Sequence, residues 1–460
     1  MERPTHAVRG DVLTFHDDPH GKGIDDCASF IPDALIVLSE GKIVEVGPAS
    51  EVELADDIPV TRYRDAIILA GFVDCHVHYP QTQMIAAPMS STNESAANGS
   101  AANGDRLIDW LNRYTFLTEQ SFASYEHARE VAKVYLDECL RNGTTTASVF
   151  CTVHPESVEA FFDESHQRNM RNLAGKVLMD RNAPEELLDT PRTAYDQSKA
   201  LIEKWHGRGR QLYCVTPRFA PTSSPEQLEA AGAVWGGHEG TYLQTHLSET
   251  KREIEWVREL FPNHSGYLDV YDQFGLLGPR SMLGHGIHLS EPELERLSES
   301  GGAIVHCPTS NLFLGSGLFS LPTALREDRP VRLGVGSDLG AGTSFSPLQT
   351  LNETYKVAQL NDYPIRALEA FYLATRGGAR ALYLEDTIGS VAPGMEGDLV
   401  VLDLHSTPII RHRMKYCESL EEALFVQMIM GDDRAIRATY VAGTLAYDRD
   451  AQAEPFLHSR

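Results

Sequence analysis

The sequence predicts an α/β fold in which a (β/α)8 barrel is joined by a small β-sandwich domain built from both ends of the chain. Two observations lead to this prediction. Through the middle of the chain, short apolar or β-branched runs alternate with longer helical stretches, and about eight such runs can be counted. The two ends instead hold closely spaced β-rich pieces. With 460 residues, 42% of them hydrophobic, the chain can fill a barrel of roughly 250 residues and a second core.

The barrel strands are predicted one by one from apolar runs that alternate with helical stretches such as residues 125–141. These runs are residues 67–73, 143–150, 173–179, 213–216, 242–244, 281–283, 303–305 and 331–335. An open doubly wound sheet is the alternative architecture. It would give no reason for the polar residues that end several of the runs.

The two ends of the chain carry hairpin signals. Residues 34–38 and 42–46 are apolar runs separated by Ser-Glu-Gly, and residues 440–447 show a second signal around Ala442 and Gly443. The run 399–404 follows a turn rich in Pro and Gly. Short β-rich pieces at opposite ends of a chain can pair into one small domain.

We therefore expect residues 1–67 and 390–460 to form the composite β-sandwich domain and residues 68–389 to form the barrel. Within the barrel, residues 90–104 (SSTNESAANGSAANG) are small, polar and low in complexity, which predicts a flexible surface insertion. It follows the first barrel strand at its carboxyl end, where such barrels build active sites. This segment could be a lid over the site or an insertion without a functional role, and the sequence leaves both alternatives open.

Charge and composition exclude several classes of partner. A net charge of −25 argues against nucleic acid and against anionic membranes. No run of about eighteen apolar residues is present, and the first residues lack the apolar segment of a secretion signal. Seven cysteines without any CxxC pair are typical of a reducing compartment, so we expect a cytoplasmic protein.

The strongest site signal is the segment GFVDCHVHYPQ, in which His76 and His78 stand two residues apart. On a strand, residues i and i+2 point to the same face, so both imidazoles can reach one metal ion. Two histidines on a strand are more often part of a polar surface. Here the preceding Ile-Ile-Leu-Ala-Gly-Phe-Val indicates a buried strand, and buried histidines need a partner.

Three further candidates stand at the ends of other predicted strands. They are His246 in TYLQTHLSE, His285 after SMLG and Asp338 at the end of VRLGVGSD. A barrel would bring them to the same face as His76 and His78. Each has an ordinary alternative, since a lone strand-end histidine is commonly a core residue and Ser-Asp is commonly a helix N-cap. Together, five such positions indicate a metal centre.

The succession HVH, THLSE, GHGIH and SD is similar to the pattern of the amidohydrolase superfamily. From about residue 67 onward, the chain resembles its guanine deaminase branch. The narrower resemblance is carried by the stretches RNGTTTASVF, KVLMDRNAPEELLDT, PRFAPTSSPEQ, HCPTSNLFLGSG and GAGTSFSPLQTLNETYKV. It implies the same barrel and β-sandwich, hydrolytic deamination of guanine to xanthine and ammonia, and a homodimer. Two departures are the length of segment 90–104 and Ser337, where threonine is expected.

The resemblance implies one zinc ion per chain, and we assign its ligands as follows: His76, His78, His246 and Asp338. Neutral imidazoles and one carboxylate suit Zn²⁺, although Fe²⁺ fits the same set. Lys176, in a predicted strand, could suggest a carboxylated lysine that bridges two metals. In this superfamily that lysine belongs on the fourth strand, which here ends in Thr216, Pro217 and Arg218. We therefore expect a single metal.

Three residues are expected to carry the chemistry. Glu249 would take a proton from the attacking water, pass it to a ring nitrogen and help ammonia leave. The alternative for Glu249 is an exposed glutamate that opens a helix. His285 would stabilise the hydroxide and the developing charge, and the resemblance implies that Asp338 could double as a base.

Substrate contacts follow from the same resemblance. Gln81 presents a donor and an acceptor together, which complements a purine edge. Arg218 would donate to the guanine carbonyl oxygen and Phe219 would offer an apolar surface to the ring. A structural ion pair is the alternative for Arg218, and plain core packing is the alternative for Phe219. His288 and His306 are expected to have supporting or packing roles.

Two alternative functions remain. The nearest is another deaminase or hydrolase of the same superfamily that acts on cytosine, an adenosine derivative or a triazine. The other is a non-catalytic scaffold, since some relatives have lost their metal ligands. The complete ligand set and Glu249 argue against a scaffold.

Overall fold

The structure is a computed structural model that describes residues 5–19, 22–88, 107 and 110–451. The predicted insertion 90–104 lies outside the described residues. Within the described ranges, no helix combines the length and the apolar character needed to cross a bilayer.

Sixteen strands lie in the described part of the chain. Four come first: β1 (His6–Phe15), β2 (Ala28–Ser39), β3 (Lys42–Pro48) and β4 (Val60–Ala70). Nine occupy the middle: β5 (Phe72–His78), β6 (Thr144–Phe150), β7 (Arg171–Gly175), β8 (Val177–Leu178), β9 (Leu212–Pro217), β10 (Tyr242–Leu247), β11 (Ser281–His285), β12 (Ala303–His306) and β13 (Arg332–Val335). Three come last: β14 (Leu399–Asp403), β15 (Ile436–Val441) and β16 (Thr444–Asp448).

Helices separate the middle strands, and several begin with proline, whose fixed φ and missing N–H suit the first helical turn. The longer α-helices are Tyr125–Arg141, Pro155–Gln167, Pro191–Trp205, Pro225–Gly237, Lys251–Leu260, Tyr267–Gln273, Glu291–Ser300, Pro308–Leu314, Pro347–Leu360, Pro408–Met414 and Leu420–Met430. Shorter α-helices are Phe116–Glu119, Leu321–Ala324, Ala367–Tyr372 and Gly378–Ala381. Two π-helical turns are Leu111–Thr115 and Leu373–Gly377.

The middle strands form a nearly closed barrel, which confirms the predicted fold. They pair in parallel in the order β5-β6-β7-β9-β10-β11-β12-β13, while β8 adds a short pairing to β9. The main-chain N–H of Asp338, just after β13, donates to the carbonyl oxygen of His76 on β5 at 2.9 Å, which joins the two edges. The carboxyl ends of all these strands therefore meet at one face.

The predicted joining of the two ends of the chain is confirmed as well. Strands β1 to β4 and β14 to β16 form one seven-stranded sheet in the order β16-β15-β14-β4-β1-β2-β3. Glu40 and Gly41 have positive φ angles in the β2–β3 turn, as do Ala442 and Gly443 in the β15–β16 turn. Such two-residue turns match the twist of a hairpin.

The predicted barrel strand 67–73 is wrong in its first part. Residues 67–70 belong to β4 and pair with β14, whereas the barrel strand begins at Phe72. Gly71 stands between the two sheets, and a Cβ atom there would lie 2.1 Å from the Thr145 hydroxyl oxygen. The apolar run is continuous because both sheets bury it. Its pattern therefore does not show where the chain leaves the terminal sheet and enters the barrel.

Ion pairs connect the terminal sheet to the barrel. Arg171 and Arg210 both donate from Nε to Oε2 of Glu396, at 2.7 and 3.0 Å. Arg210 also pairs with Asp398, whose other carboxylate oxygen accepts the main-chain N–H of Ala442 at 2.7 Å. These largely buried charges therefore compensate one another at the base of the barrel.

Candidate active site at the carboxyl ends of the barrel strands

The predicted site residues all lie at the carboxyl ends of barrel strands or just beyond them. His76 and His78 end β5, His246 is the penultimate residue of β10 and His285 ends β11. Asp338 follows β13. His285 and Asp338 have φ angles of 71° and 47°, a left-handed conformation that is uncommon for residues other than glycine. Backbone held in this way is typical of functional sites.

Four ligating atoms converge in the metal-ligating group, which we define as His76, His78, His246 and Asp338. The Nε2 atoms of His76 and His78 each lie 3.5 Å from Oδ1 of Asp338. The Nε2 atoms of His78 and His246 are 3.1 Å apart. All four ligand atoms lie within 4.8 Å of one another.

The donor chemistry of this group fits a divalent cation. Buried Nε2 of His76 has no hydrogen-bond partner among the described residues. Nδ1 of His246 lies 2.7 Å from the carbonyl oxygen of Arg218, which fixes its proton there and leaves Nε2 as a ligand. Burial, above all, holds the pKa values of His78 and His246 well below the ordinary value, which favours the neutral, metal-binding form of both rings. Burial opposes ionisation of Asp338, but His76 and His285 lower its pKa to about 2.

A second group, formed by His76, His285 and Cys307, has its ligating atoms equally close together. Burial raises the pKa of the Cys307 thiol well above its ordinary value. Because the thiolate is the metal-binding form, the protonated thiol makes this group the poorer site.

Glu249 and His285 face each other beside the metal-ligating group. Oε2 of Glu249 lies 3.6 Å from Nε2 of His285, and Ser316 donates to Oε1 of Glu249 at 2.7 Å. Nδ1 of His285 lies 2.8 Å from Oδ1 of Asn311, so Nε2 points back to the site. Burial raises the pKa of Glu249, although His285 opposes the rise. A raised pKa favours the exchange of protons that general acid–base catalysis requires of a carboxyl group.

The chain at Glu249 is held by a capping box. Thr250 is the N-cap of helix Lys251–Leu260, and Glu253 accepts the N–H groups of Thr250 and Glu249. Glu249 itself is 3% exposed, so the alternative of an exposed glutamate that opens this helix is wrong. The pattern Thr-Lys-Arg-Glu in the sequence is what builds this arrangement.

Asp74 is a site residue that the sequence analysis missed. It lies on β5 two residues before His76 and accepts the main-chain N–H of Ser337 at 3.0 Å and of His76 at 3.2 Å. The Ser337 hydroxyl also donates to its second oxygen. Burial raises the pKa of Asp74 to about 6, against these hydrogen bonds. Asp74 therefore links the first strand to the loop that carries Asp338.

The site opens into a cavity. Its polar wall includes the predicted substrate residues Gln81 and Arg218, and Phe219 lines it beside His246, with ring centroids 6.4 Å apart. The apolar wall was not predicted from the sequence; it is formed by Leu107, Trp110, Leu111, Leu314 and Ala341.

Arg218 does form an ion pair, and its partner was also missed. Its Nη1 lies 3.0 and 2.9 Å from the two carboxylate oxygens of Glu119, which is completely buried. Glu119 lies in helix Phe116–Glu119, and Gln81 donates to it as well. A buried arginine requires an anion, but the sequence alone does not say which of its 65 acidic residues supplies it.

The remaining candidates lie apart from the ligands. Lys176 is buried and paired with Asp189. His288 lies 3.0 Å from the carbonyl oxygen of Ser316, and His306 stacks on Phe319 with ring centroids 4.9 Å apart. None of these three is among the groups of ligating atoms found in the described residues.

A (β/α)8 barrel that collects four imidazoles, two carboxylates and a cavity at the carboxyl ends of its strands has the architecture of a metal-dependent hydrolase. The chain belongs to the amidohydrolase family, whose sequence profile matches residues 67–446.

Known members of the family are similar to the whole chain. Guanine deaminase of Escherichia coli (strain K12) is 48% identical over 454 residues, which cover 98% of this chain and 99% of that protein. A solved structure of the E. coli guanine deaminase gives a TM-score of 0.90 at 47% identity and covers 96% of this chain and 99% of that one. The structure of guanine deaminase from C. acetobutylicum with bound guanine gives 0.82 at 28% identity, covering 96% and 100%.

Proposed function

We propose that this protein catalyses the hydrolytic deamination of guanine to xanthine and ammonia. The observation that carries the proposal is one cavity that holds the metal-ligating group, Glu249 and the pair Arg218 and Gln81. The 48% identity to a guanine deaminase over nearly the whole chain supports it. The guanine bound to the relative from C. acetobutylicum supports a purine as substrate.

We propose zinc as the metal, one ion per chain, held by His76, His78, His246 and Asp338. Three neutral imidazoles and one carboxylate form a ligand set that suits Zn²⁺. When bound, zinc lowers the pKa of water to about 7 and so supplies a nucleophile at neutral pH.

Glu249 is proposed as the residue that moves protons. Its carboxylate accepts a proton from the attacking water and donates it to a ring nitrogen of guanine, and it then assists the departure of ammonia. Ser316 fixes the orientation of this carboxylate. His285, whose ring is held by Asn311, stabilises the charge that develops at the attacked carbon. Asp338 serves as a ligand and as a second base.

Substrate binding is assigned to the opposite wall. Arg218 donates to the guanine carbonyl oxygen, Gln81 hydrogen-bonds to the ring edge and Phe219 packs against the ring. Phe219 is only 4% exposed and lies beside His246, so it borders the place where the ring must sit.

The proposal is tested by ammonia release from a panel of amines. Zinc-loaded protein is incubated with guanine, cytosine, adenosine and an aminotriazine, with and without a chelator. We expect release from guanine that the chelator abolishes. Release from cytosine or the triazine but not from guanine would show that guanine is not the substrate. The assignment of the metal ligands would be unaffected.

The homodimer and the cytoplasmic location expected from the sequence are part of this proposal. All seven cysteines are free thiols in the structure, and six of them are buried, which supports a reducing compartment. Light scattering of the purified chain and fractionation of the cells that produce it test the two points separately.

A further inference from the structure

We infer that Glu119 is a positioning residue that sets the substrate preference of this site by fixing the hydrogen-bonding direction of both Arg218 and Gln81. This inference rests on the proposed deamination of guanine. It concerns a carboxylate that the proposed chemistry does not use.

Glu119 has no access to water and holds two polar neighbours. Arg218 donates to both of its oxygens, and Gln81 donates to it from the side-chain amide. Burial raises the pKa of Glu119, but the hydrogen bonds and charge of Arg218 oppose the rise. Because an ionised carboxylate only accepts hydrogen bonds, it dictates which atoms of its neighbours remain for a ligand.

For Gln81, the amide nitrogen faces Glu119 and the amide oxygen is left as an acceptor. That oxygen lies against Gly340, where a Cβ atom would come within 2.1 Å of it. Gly340 has a φ angle of 120°, which also favours glycine. The amide therefore has one orientation in the cavity wall that Gln81 helps to form, with its nitrogen engaged by Glu119 and its oxygen left for another donor.

For Arg218, the bonds to Glu119 use Nη1, and among the described residues no hydrogen bond is found for its Nη2. The guanidinium carbon also lies 5.7 Å from the centre of the Phe116 ring. Phe116 and Glu119 stand three residues apart on one short helix. This helix therefore contacts the guanidinium of Arg218 through both an aromatic ring and a carboxylate. Arg218 thus presents a donor to the cavity.

A π-helical turn precedes the helix that carries Glu119 and sets the direction of its side chains. Leu111–Thr115 is π-helical and runs directly into helix Phe116–Glu119. The wider turn places residues five apart on one face, and the α-helix then places residues four apart on the same face. Trp110, Thr115 and Glu119 follow this spacing and are all buried, and the first two line the cavity.

A fixed donor beside a fixed acceptor selects a ring that offers a carbonyl oxygen and an N–H group. Guanine has both. 2-Aminopurine keeps the amine that would leave but lacks the carbonyl oxygen. The pair Arg218 and Gln81, held by Glu119, therefore favours guanine, and a neutral residue at position 119 would release both side chains.

The test compares Glu119→Gln with Glu164→Gln, a buried glutamate that accepts from Arg129 and Arg168 on a distant helix. For Glu119→Gln we expect kcat/KM for guanine to fall by about 10²-fold, mainly through KM, because the contact exists in both ground and transition states. For 2-aminopurine we expect a fall of less than about threefold. Glu164→Gln should leave the ratio between the two substrates unchanged.

Two further variants separate a positioning role of Glu119 from a general loss of folding. If Glu119→Gln folds poorly, Glu119→Asp takes its place in the comparison. This variant retains the buried charge and should keep part of the preference for guanine over 2-aminopurine. In an Arg218→Met background, Glu119→Gln should have little further effect on the ratio. Equal losses for both substrates, or full effects in the Arg218→Met background, would overturn the inference. A wild-type protein that leaves guanine unchanged would instead overturn the proposed function, and this inference with it.

Discussion

Nδ1 of His246 lies 2.7 Å from the main-chain carbonyl oxygen of Arg218. A ligand of the proposed metal and a residue of the proposed substrate wall are therefore held by one hydrogen bond between adjacent strand ends. The main-chain N–H of His246 donates to the same oxygen at 3.1 Å. Because Glu119 holds the side chain of Arg218 from the other direction, the spacing between the metal-ligating group and the Arg218 guanidinium is set by buried contacts.

The first prediction concerns proton transfer. Glu249→Gln should lower kcat for guanine by about 10²–10⁴-fold, because the amide cannot accept a proton from water. Metal content, measured by elemental analysis, should stay at the wild-type value, since Glu249 lies outside the metal-ligating group. Ser316→Ala, which removes only the hydrogen bond to Glu249, should give a smaller loss. Unchanged turnover in Glu249→Gln would remove this residue from the reaction.

The second prediction concerns metal ligation. His76→Gln should purify with little metal, because it removes one of four convergent donors. His306→Gln is the matched control, since His306 is equally buried and ends a barrel strand but lies outside the ligating groups of the described residues. Elemental analysis should find wild-type metal in this control. Loss of metal from His306→Gln alone would contradict the assigned ligands.

The third prediction concerns Asp74. Asp74→Asn keeps the size of the side chain but replaces one acceptor with a donor, so the hydroxyl or the N–H of Ser337 loses its partner. Metal affinity should weaken by roughly 10–100-fold because Asp338 is no longer held in place. Competition with a coloured chelator measures this change. Ser337→Thr retains the hydroxyl and should bind metal as the wild type does; equal weakening in both variants would argue against the link.

The fourth prediction concerns stability against pH. Burial opposes ionisation of Glu396, but Arg171 and Arg210 outweigh it and lower its pKa below the ordinary 4.5. A lowered pKa in the folded state means that the stabilisation is complete above pH 4.5 and is lost as the pH falls through the folded value. Glu396→Gln should therefore lower the free energy of unfolding by about 3 kcal/mol at neutral pH.

The measurement for Glu396→Gln is urea unfolding at neutral pH and at several values below 4.5. The difference from wild type should shrink as the pH falls. Glu51→Gln, a substitution at an exposed position of the terminal domain, should show no difference at any pH. A difference for Glu396→Gln that is constant with pH would show that the ion pairs do not carry this stability.

The barrel and its polar strand ends were predictable because each strand is buried on both faces and ends where its apolar run ends. His76 and His78 show this best, since their spacing sets their direction. The passage from β4 to β5 was not predictable, because Gly71 interrupts a run that two sheets bury alike. The left-handed backbone of His285 and Asp338 also leaves no local sequence signal.

Glu119 and Asp74 were missed for related reasons. Each acts through partners that are distant in sequence: 99 residues separate Glu119 from Arg218, and 263 separate Asp74 from Ser337. A glutamate in the segment FLTE has the pattern of a surface helix. The available signal was indirect: a structural ion pair was the alternative for Arg218, which follows a predicted buried strand, and an arginine buried there needs an anion.

The most direct test of zinc-dependent deamination of guanine is a metal titration of the apoprotein with guanine as substrate. Ammonia release is measured after zinc is added in steps to protein that a chelator has stripped. We predict that the activity rises in proportion to zinc and levels off at about one equivalent per chain, as one group of four ligands requires. No release of ammonia from guanine at any zinc level, or a plateau at about two equivalents, would contradict it.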